Sequence, residues 1–365
     1  MFDWVTWGLV APGVRDELGS PGSRDVADAA TCSPRTRTVK TTAALEELFI
    51  GLVFHQIEFS DRTHAVRSPK VAIMELKQHF VTTKDGRKLE FATIGKESGK
   101  TVVFHHGTPG AIYTFMKYQE LVDLGDFFVV TYSRAGYGLS ERNKGRDIAA
   151  VVDDVRLILD TLGRDTYVSV GWSGGGPHSL ACAALDAPRC TGALSVAGVA
   201  PRDVGFDWTE GMGPENIEEF ELALKGGPEY EAGIKAAGEH LSSVTVENVT
   251  EAFGGLMSDA DKAVWVPLSQ RERAVFDLHH AFAVSPDGFQ DDDQAFIKDW
   301  GFSVSDIKVP TSIWFGGNDL FVPKSHGEWL STNIAGASAH YFEGEGHMSI
   351  WINHMNEISQ DISSK

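Results

Sequence analysis

The sequence predicts an α/β fold: a doubly wound, mostly parallel sheet with a helical lid inserted late in the chain. Three observations carry that expectation. Strand and helix patterns alternate from Met74 to Ala200 and again from Thr311 to the C-terminus. The strands are short, largely apolar and β-branched runs such as Thr101 to Phe104, Asp126 to Tyr132 and Thr166 to Val170, as expected of strands covered on both faces. From about Gly205 to Trp300 the alternation stops, and helical patterns follow one another without strands between them.

The bulk properties narrow the class further. A chain of 365 residues with 42% hydrophobic content has ample core for one large domain with insertions or extensions. A formal charge of −19 argues against nucleic acid and anionic membrane surfaces as partners. No apolar run approaches the ~18 residues of a membrane helix, since the best candidate, Ala43 to Phe54, is broken by Glu46 and Glu47. The first residues lack a basic start followed by an apolar run, and three cysteines (Cys32, Cys182, Cys190) make no disulfide framework. A cytoplasmic location is the expectation.

Residues 1–73 read as an N-terminal extension, poorly ordered or loosely docked. Gly, Ser, Pro, Asp and Arg dominate Pro12 to Arg37, and only Ala43 to His55 suggests a short amphipathic helix. The first part of the core spans residues 74–204. Glu75 to Thr83 and Lys88 to Ile94 read as strands around the turn Lys84-Asp85-Gly86-Arg87. Thr101 to Phe104 is a strand leading into His105-His106-Gly107-Thr108-Pro109-Gly110, with a helix expected over Ala111 to Leu124. After the strand Asp126 to Tyr132, the residues Ile148, Val152, Val155, Leu159 and Leu162 share one helical face. The strand Thr166 to Val170, a helix over Pro177 to Leu185, and a strand over Ala193 to Ala200 complete this half. Residues 205–300 form the lid, with helices expected over Glu215 to Leu224 and Tyr230 to Leu241. Asp207 to Asp299 holds 20 acidic and 6 basic residues, most of the chain's negative charge. The core resumes over residues 301–365, with strands at Thr311 to Phe315 and Ala339 to Phe342, a helix over Pro323 to Ile334, and a closing helix opened by His347.

Between the strand Thr166 to Val170 and its helix lies Gly171-Trp172-Ser173-Gly174-Gly175-Gly176. Strand, Gly-x-Ser-x-Gly, helix is the context of a nucleophile elbow, a turn so tight that only small residues fit two positions either side of the serine. The turn would lift the Ser173 hydroxyl off the strand end and aim the unpaired N–H groups of a helix N-terminus at the same point. A nucleophilic serine needs a base to take its proton and an acid to orient that base. In a doubly wound sheet such groups gather at the carboxyl ends of strands. His347 follows the last strand and Asp319 follows Thr311 to Phe315, so both are expected at the edge where Ser173 emerges. Asp203, beyond the neighbouring strand, is the rival acid, and Asp207 a weaker third. The oxyanion donors expected are the backbone N–H groups of Gly174 and of Thr108, with Gly107 and Gly110 allowing close approach. His106 is expected to hold the shape of that loop, His105 to be a satisfied core histidine, and Arg134 to Ser140 to be a structural loop.

These residues resemble the α/β-hydrolase family over roughly Met74 to Lys365. The resemblance rests on His106-Gly107-Thr108-Pro109-Gly110, the elbow Gly171 to Gly175, Gly317-Asn318-Asp319, and Gly344-Glu345-Gly346-His347. Arg134-Ala135-Gly136-Tyr137-Gly138-Leu139-Ser140 is similar to the family's Arg-x-Gly-x-Gly-x-Ser loop, with Ser133 where an Asp is usual. Ser173 argues against the dehalogenases and epoxide hydrolases, whose nucleophile is Asp. The layout resembles proline iminopeptidases in its acidic helical lid. Those generally carry His-Gly-Gly-Pro-Gly and Gly-Gly-Ser-Trp-Gly, where this chain has Thr108 and Gly-Trp-Ser-Gly-Gly. Serine-type haloperoxidases and perhydrolases share the triad.

The resemblance and the residues together imply a cofactor-free, metal-free serine hydrolase acting on a carboxylic ester or amide through an acyl-enzyme. The lid's charge favours a neutral or cationic small-molecule substrate. Two alternatives stand beside this reading: a proline iminopeptidase-like aminopeptidase, and a small-molecule receptor on the same fold with little turnover.

Overall fold

The computed structural model describes residues 76–114 and 125–365. The described residues lie in one compact unit. The expectations for residues 1–73, the helix at Ala43 to His55 among them, lie outside the described residues, as does most of the helix expected over Ala111 to Leu124. Its first residues, 111–114, form a turn closed by Thr114 N–H donating to the Ala111 carbonyl at 3.2 Å.

Eight strands make one sheet: β1 Lys77–Thr82, β2 Lys88–Gly95, β3 Lys100–His105, β4 Phe127–Tyr132, β5 Tyr167–Trp172, β6 Cys190–Val196, β7 Thr311–Gly316 and β8 Ser338–Phe342. Their spatial order is β1-β2-β4-β3-β5-β6-β7-β8. β1 and β2 are antiparallel to their neighbours, and every pair from β4 through β8 is parallel. The apolar runs explain this arrangement. β4, β5 and β7 are buried at every position, whereas β1 and β8, at the two edges, alternate or lie exposed. The doubly wound expectation holds, with an antiparallel start. From β3 the chain moves to one side to make β4, then returns to the other side to make β5. The crevice between the ends of β3 and β5 is therefore the topological switch point, where ligands bind in such sheets.

Helix α1, Val151–Leu162, packs beside β1 and the helix that follows β5. It ends where Gly163 adopts a left-handed φ of 63° and the N–H groups of Gly163 and Arg164 close back onto Asp160 and Leu159. Ile148, counted into this helix from its spacing, is buried in the turn before it. Helix α2, Gly175–Leu185, runs from the β5 turn and is almost wholly buried. β6 begins and ends earlier than the apolar run Ala193 to Ala200 implied. Ala197 takes a left-handed φ of 50° and breaks the strand, while Val199 and Ala200 remain buried in the loop beyond it.

The lid segment contains α3 Pro214–Lys225, α4 Gly227–Leu241, α5 Val249–Ala252, α6 Asp259–Trp265, α7 Leu268–Ala281 and α8 Asp287–Phe296. The core closes with α9 Lys324–Asn333, α10 Ser349–Asn353 and α11 Met355–Ser364. His347 precedes the closing helices by two residues and does not open one, which leaves its ring on a loop. Two hydrophobic clusters lie on the two faces of the sheet, and lid residues such as Trp265, Phe282 and Phe289 belong to the first of them. Among the described residues no helix is long and apolar enough to cross a membrane.

Three lid helices meet at a pair of acids. Asp293 of α8 is fully buried, accepts from the Tyr230 hydroxyl of α4 at 2.9 Å, and faces Glu219 of α3. Burial pushes the Glu219 carboxyl up to about 8, and burial with the Glu219 charge raises Asp293 as well. Raised carboxyl pKa values stabilise the fold fully below the ordinary range near 4.5 and lose that contribution as pH climbs toward about 8. The thermal midpoint should therefore fall more steeply over this window in the native chain than in Glu219→Gln. Parallel curves in a pH series of thermal melts would show that the raised Glu219 carboxyl makes no such contribution.

Candidate active site

Ser173 sits at the end of β5 with a left-handed φ of 56°, a conformation a non-glycine residue adopts only when its surroundings impose it. The glycines around it are required by close approach. A β-carbon at Gly171 would collide with the Gly175 carbonyl, and one at Gly175 with the carbonyl of His105 on β3. The turn is anchored by Ser173 N–H donating to the Val196 carbonyl at 2.9 Å.

His347 and Asp319 are brought together as expected. His347 Nδ1 lies 2.8 Å from Asp319 Oδ2, and both side chains are buried. Asp319 Oδ1 accepts the N–H groups of Phe321 and Val322 at 2.9 and 2.8 Å, so the loop after β7 fixes the carboxyl. Burial raises the Asp319 carboxyl against the opposing pull of His347. With the acid on Nδ1, the imidazole carries its proton there and presents the bare Nε2 away from the acid. Phe321 stacks on the His347 ring at 4.5 Å, and Trp172, the elbow residue before Ser173, lies 5.1 Å from it and donates through Nε1 to the His347 carbonyl at 3.1 Å. The Ser173 hydroxyl makes no hydrogen bond to His347 here; such contacts often tighten only with substrate bound. Asp203, the rival acid, is exposed and pairs with its neighbour Arg202. Asp207 is exposed and caps Thr209.

Thr108 and Gly174 are adjacent. A β-carbon on Gly174 would strike the Thr108 side chain. The backbone N–H groups of both residues make no hydrogen bond to any other described residue, which leaves two donors beside Ser173. His105 is a satisfied core histidine, with Tyr132 Oη at 2.7 Å and Ser169 Oγ at 2.9 Å. Burial pushes its pKa down to about 3, so its ring is neutral. His106 shapes the loop: its Nδ1 donates to the Gly107 carbonyl at 2.7 Å and its Nε2 accepts the Arg134 N–H at 3.0 Å.

Two side chains that the sequence reading did not single out complete the site. Arg134, expected only as part of a structural loop, donates to the carbonyls of His106 and Gly107 and to Thr108 Oγ1 at 2.9 Å. It is itself held by Asp292 of the lid helix α8, at 2.6 Å, and Asp292 also accepts from Arg146 at 2.6 Å, Tyr137 Oη at 3.0 Å and Thr108 Oγ1 at 2.6 Å. Burial alone would raise the Asp292 carboxyl, but Arg134 and Arg146 overcome it and hold the group well below the usual carboxylate range. Breaking such a buried pair leaves an uncompensated charge and costs about 3–5 kcal/mol. Asp292→Ala should lower stability by that amount in a denaturant titration, with a loss under ~1 kcal/mol contradicting the role given to this network. At Ser133, where the family usually has Asp, the hydroxyl donates to the buried Glu90 carboxyl of β2 at 2.6 Å.

The fold and this arrangement define an α/β hydrolase. The family described as alpha/beta hydrolase fold matches residues 100–353, and the chain belongs to it. Among characterised relatives it is 26% identical over 300 residues to a non-heme haloperoxidase of Rhodococcus erythropolis, covering 78% of this chain and 98% of the relative. It is also 26% identical to 2-hydroxy-6-oxononadienedioate/2-hydroxy-6-oxononatrienedioate hydrolase 2 of Pseudomonas putida, covering 74% of this chain and 90% of that protein. Solved structures of the same fold include a bromoperoxidase from Bacillus anthracis (TM-score 0.58, 20% identity, 79% of this chain and 100% of that chain). An esterase from a Rhodococcus species is similar at TM-score 0.55 and 19% identity, over 79% of this chain and 97% of its own.

Proposed function

We propose that this chain is a serine hydrolase that cleaves a carboxylic ester, or an amide, through an acyl-enzyme. The observation that carries the reading is the buried 2.8 Å contact of His347 Nδ1 with Asp319 on the sheet edge that presents Ser173 on its strained elbow. Ser173 Oγ attacks the substrate carbonyl while His347 Nε2 takes its proton. The tetrahedral oxyanion accepts from the free N–H groups of Thr108 and Gly174. His347 then protonates the leaving alcohol or amine, which departs and leaves Ser173 acylated. Water, deprotonated by the same imidazole, attacks the acyl carbon; the acid product leaves and Ser173 recovers its proton. Asp319 holds the imidazole in the required tautomer throughout. No step calls for a cofactor or metal.

The substrate class follows from charge. The lid segment is strongly acidic, and exposed charges act over a Debye length of about 8–10 Å at moderate salt. Of its buried carboxylates, Asp291 is offset by Arg142 and Asp292 by Arg134 and Arg146, while burial pushes Asp277 and Asp293 toward the neutral form, so most of the field comes from the lid surface. A neutral or cationic ester is favoured over an anionic one. Short acyl esters matched in shape and carrying a carboxylate, no charge or an ammonium test both claims, with kcat/KM measured at low and high salt. Turnover with the carboxylate ester slowest, and the gap narrowing in salt, is the expected result. Faster turnover of the carboxylate ester would reverse the charge assignment. Tight binding of all three without turnover would favour a receptor on this fold.

A further inference from the structure

The lid reaches the proposed base as well as the oxyanion loop. Asp261, in the first turn of α6, is fully buried, yet among the described residues none of its partners is a cation. Its Oδ1 accepts the N–H groups of Met348 and Ser349 at 2.7 and 3.0 Å, and its Oδ2 accepts the N–H of His347 itself at 3.1 Å. The Ser258 hydroxyl donates to Oδ2 at 2.8 Å and accepts the Asp261 N–H in return. Ser258-Asp259-Ala260-Asp261 thus has the form of a helix N-terminal capping box, in which the acid would ordinarily turn back onto its own helix start. Here it turns outward and takes three consecutive N–H groups where the loop after β8 enters α10, those of His347 and Met348 and of Ser349, the first residue of α10. Gly346 has no room for a side chain because a β-carbon there would meet Asp261 Oδ2 and Ser258 Oγ.

We infer that Asp261 is a positioning residue, through which the lid sets the backbone of His347 and hence the aim of its imidazole. The inference rests on the reading of His347 as the general base. The ring of His347 is held by Asp319 at Nδ1 and lies against Phe321 and Trp172, and Trp172 Nε1 also holds the His347 carbonyl. Asp261 fixes the N–H side of the same residue, and with it the origin of the side chain. Misplacing a reacting group by about 1 Å can cost on the order of 10² in rate. Asp261→Asn is isosteric but turns an acceptor into an N–H₂ donor, so it cannot satisfy Met348 and Ser349 on one side and His347 and Ser258 on the other.

The test is kinetic and normalised to working sites. Active sites of the native chain, Asp261→Asn and Ser258→Ala are titrated with a fluorophosphonate, and kcat per titrated site and KM are measured with a neutral short acyl ester. Asp261→Asn should lower kcat per site by about 10- to 100-fold, with KM changed by less than about threefold. Ser258→Ala, which removes one restraint on Asp261, should give a smaller loss of the same kind, about 3- to 10-fold. A merely structural role would lower the fraction of titratable sites and leave the rate at each unchanged. Unchanged per-site kcat in Asp261→Asn overturns the inference, and if that variant does not fold, unchanged per-site kcat in Ser258→Ala does so. A native chain that neither reacts with the probe nor turns over overturns the general-base reading and this inference with it.

Discussion

Ser173→Ala should remove on the order of 10⁶ of kcat, the loss seen when the serine of a working triad is deleted. The size follows from the division of labour at the site. In the proposed mechanism Ser173 forms the covalent bond and His347 moves the proton, and neither role passes to a neighbour. The buried imidazoles around the elbow, His105, His106 and His178, are hydrogen-bonded to groups other than Ser173, and burial lowers the basicity of each. What remains should be the contribution of the Thr108 and Gly174 N–H groups and of substrate binding. The variant should fold normally, since Ser173 Oγ makes no hydrogen bond to His347, and replacing it by a methyl also leaves the backbone anchor to Val196 in place. A kcat reduced by less than about tenfold in an ester assay would mean that Ser173 is not the nucleophile.

The second large effect is expected at Asp319. Asp319→Asn keeps the shape of the side chain but offers an N–H₂ or a weaker acceptor to His347 Nδ1, so the imidazole settles in the wrong tautomer. A loss of about 10⁴ in kcat follows. Asp203→Asn should change kcat by less than about twofold, because Asp203 is exposed and its carboxylate serves only Arg202. The two variants compared in one assay decide between the acids, and the reverse pattern would move the orienting acid to the loop beyond β6.

The elbow and the acid–base pair could be read from the chain because each is written locally. Gly171 and Gly175 flank Ser173 within a strand–turn–helix pattern, and Asp319 and His347 each follow a recognisable apolar strand. The sheet was legible for a similar reason: runs such as Phe127 to Tyr132 are mostly apolar because every position is buried. β6 was misplaced by the same rule. Val199 and Ala200 are buried in a loop, and apolarity alone does not separate a buried loop from a strand. The lid's role at the site was not legible at all. Asp292 meets Arg134 across 158 positions of sequence, and Asp261 meets His347 across 86. A run of acids such as Asp291-Asp292-Asp293 reads as a solvated face until its partners are known. In the fold, part of that acidic segment is turned inward, where it holds the loop His106 to Thr108 through Arg134 and the histidine loop through its backbone.

The central claim is that an acyl group passes through Ser173. Rapid acid quenching of the native chain during turnover of a slowly deacylating ester, followed by peptide mapping by mass spectrometry, tests it directly. The account predicts one acyl adduct, on the peptide containing Ser173, absent from Ser173→Ala and accumulating in a burst before steady state. Turnover with no adduct on that peptide, or an adduct that persists in Ser173→Ala, would contradict it.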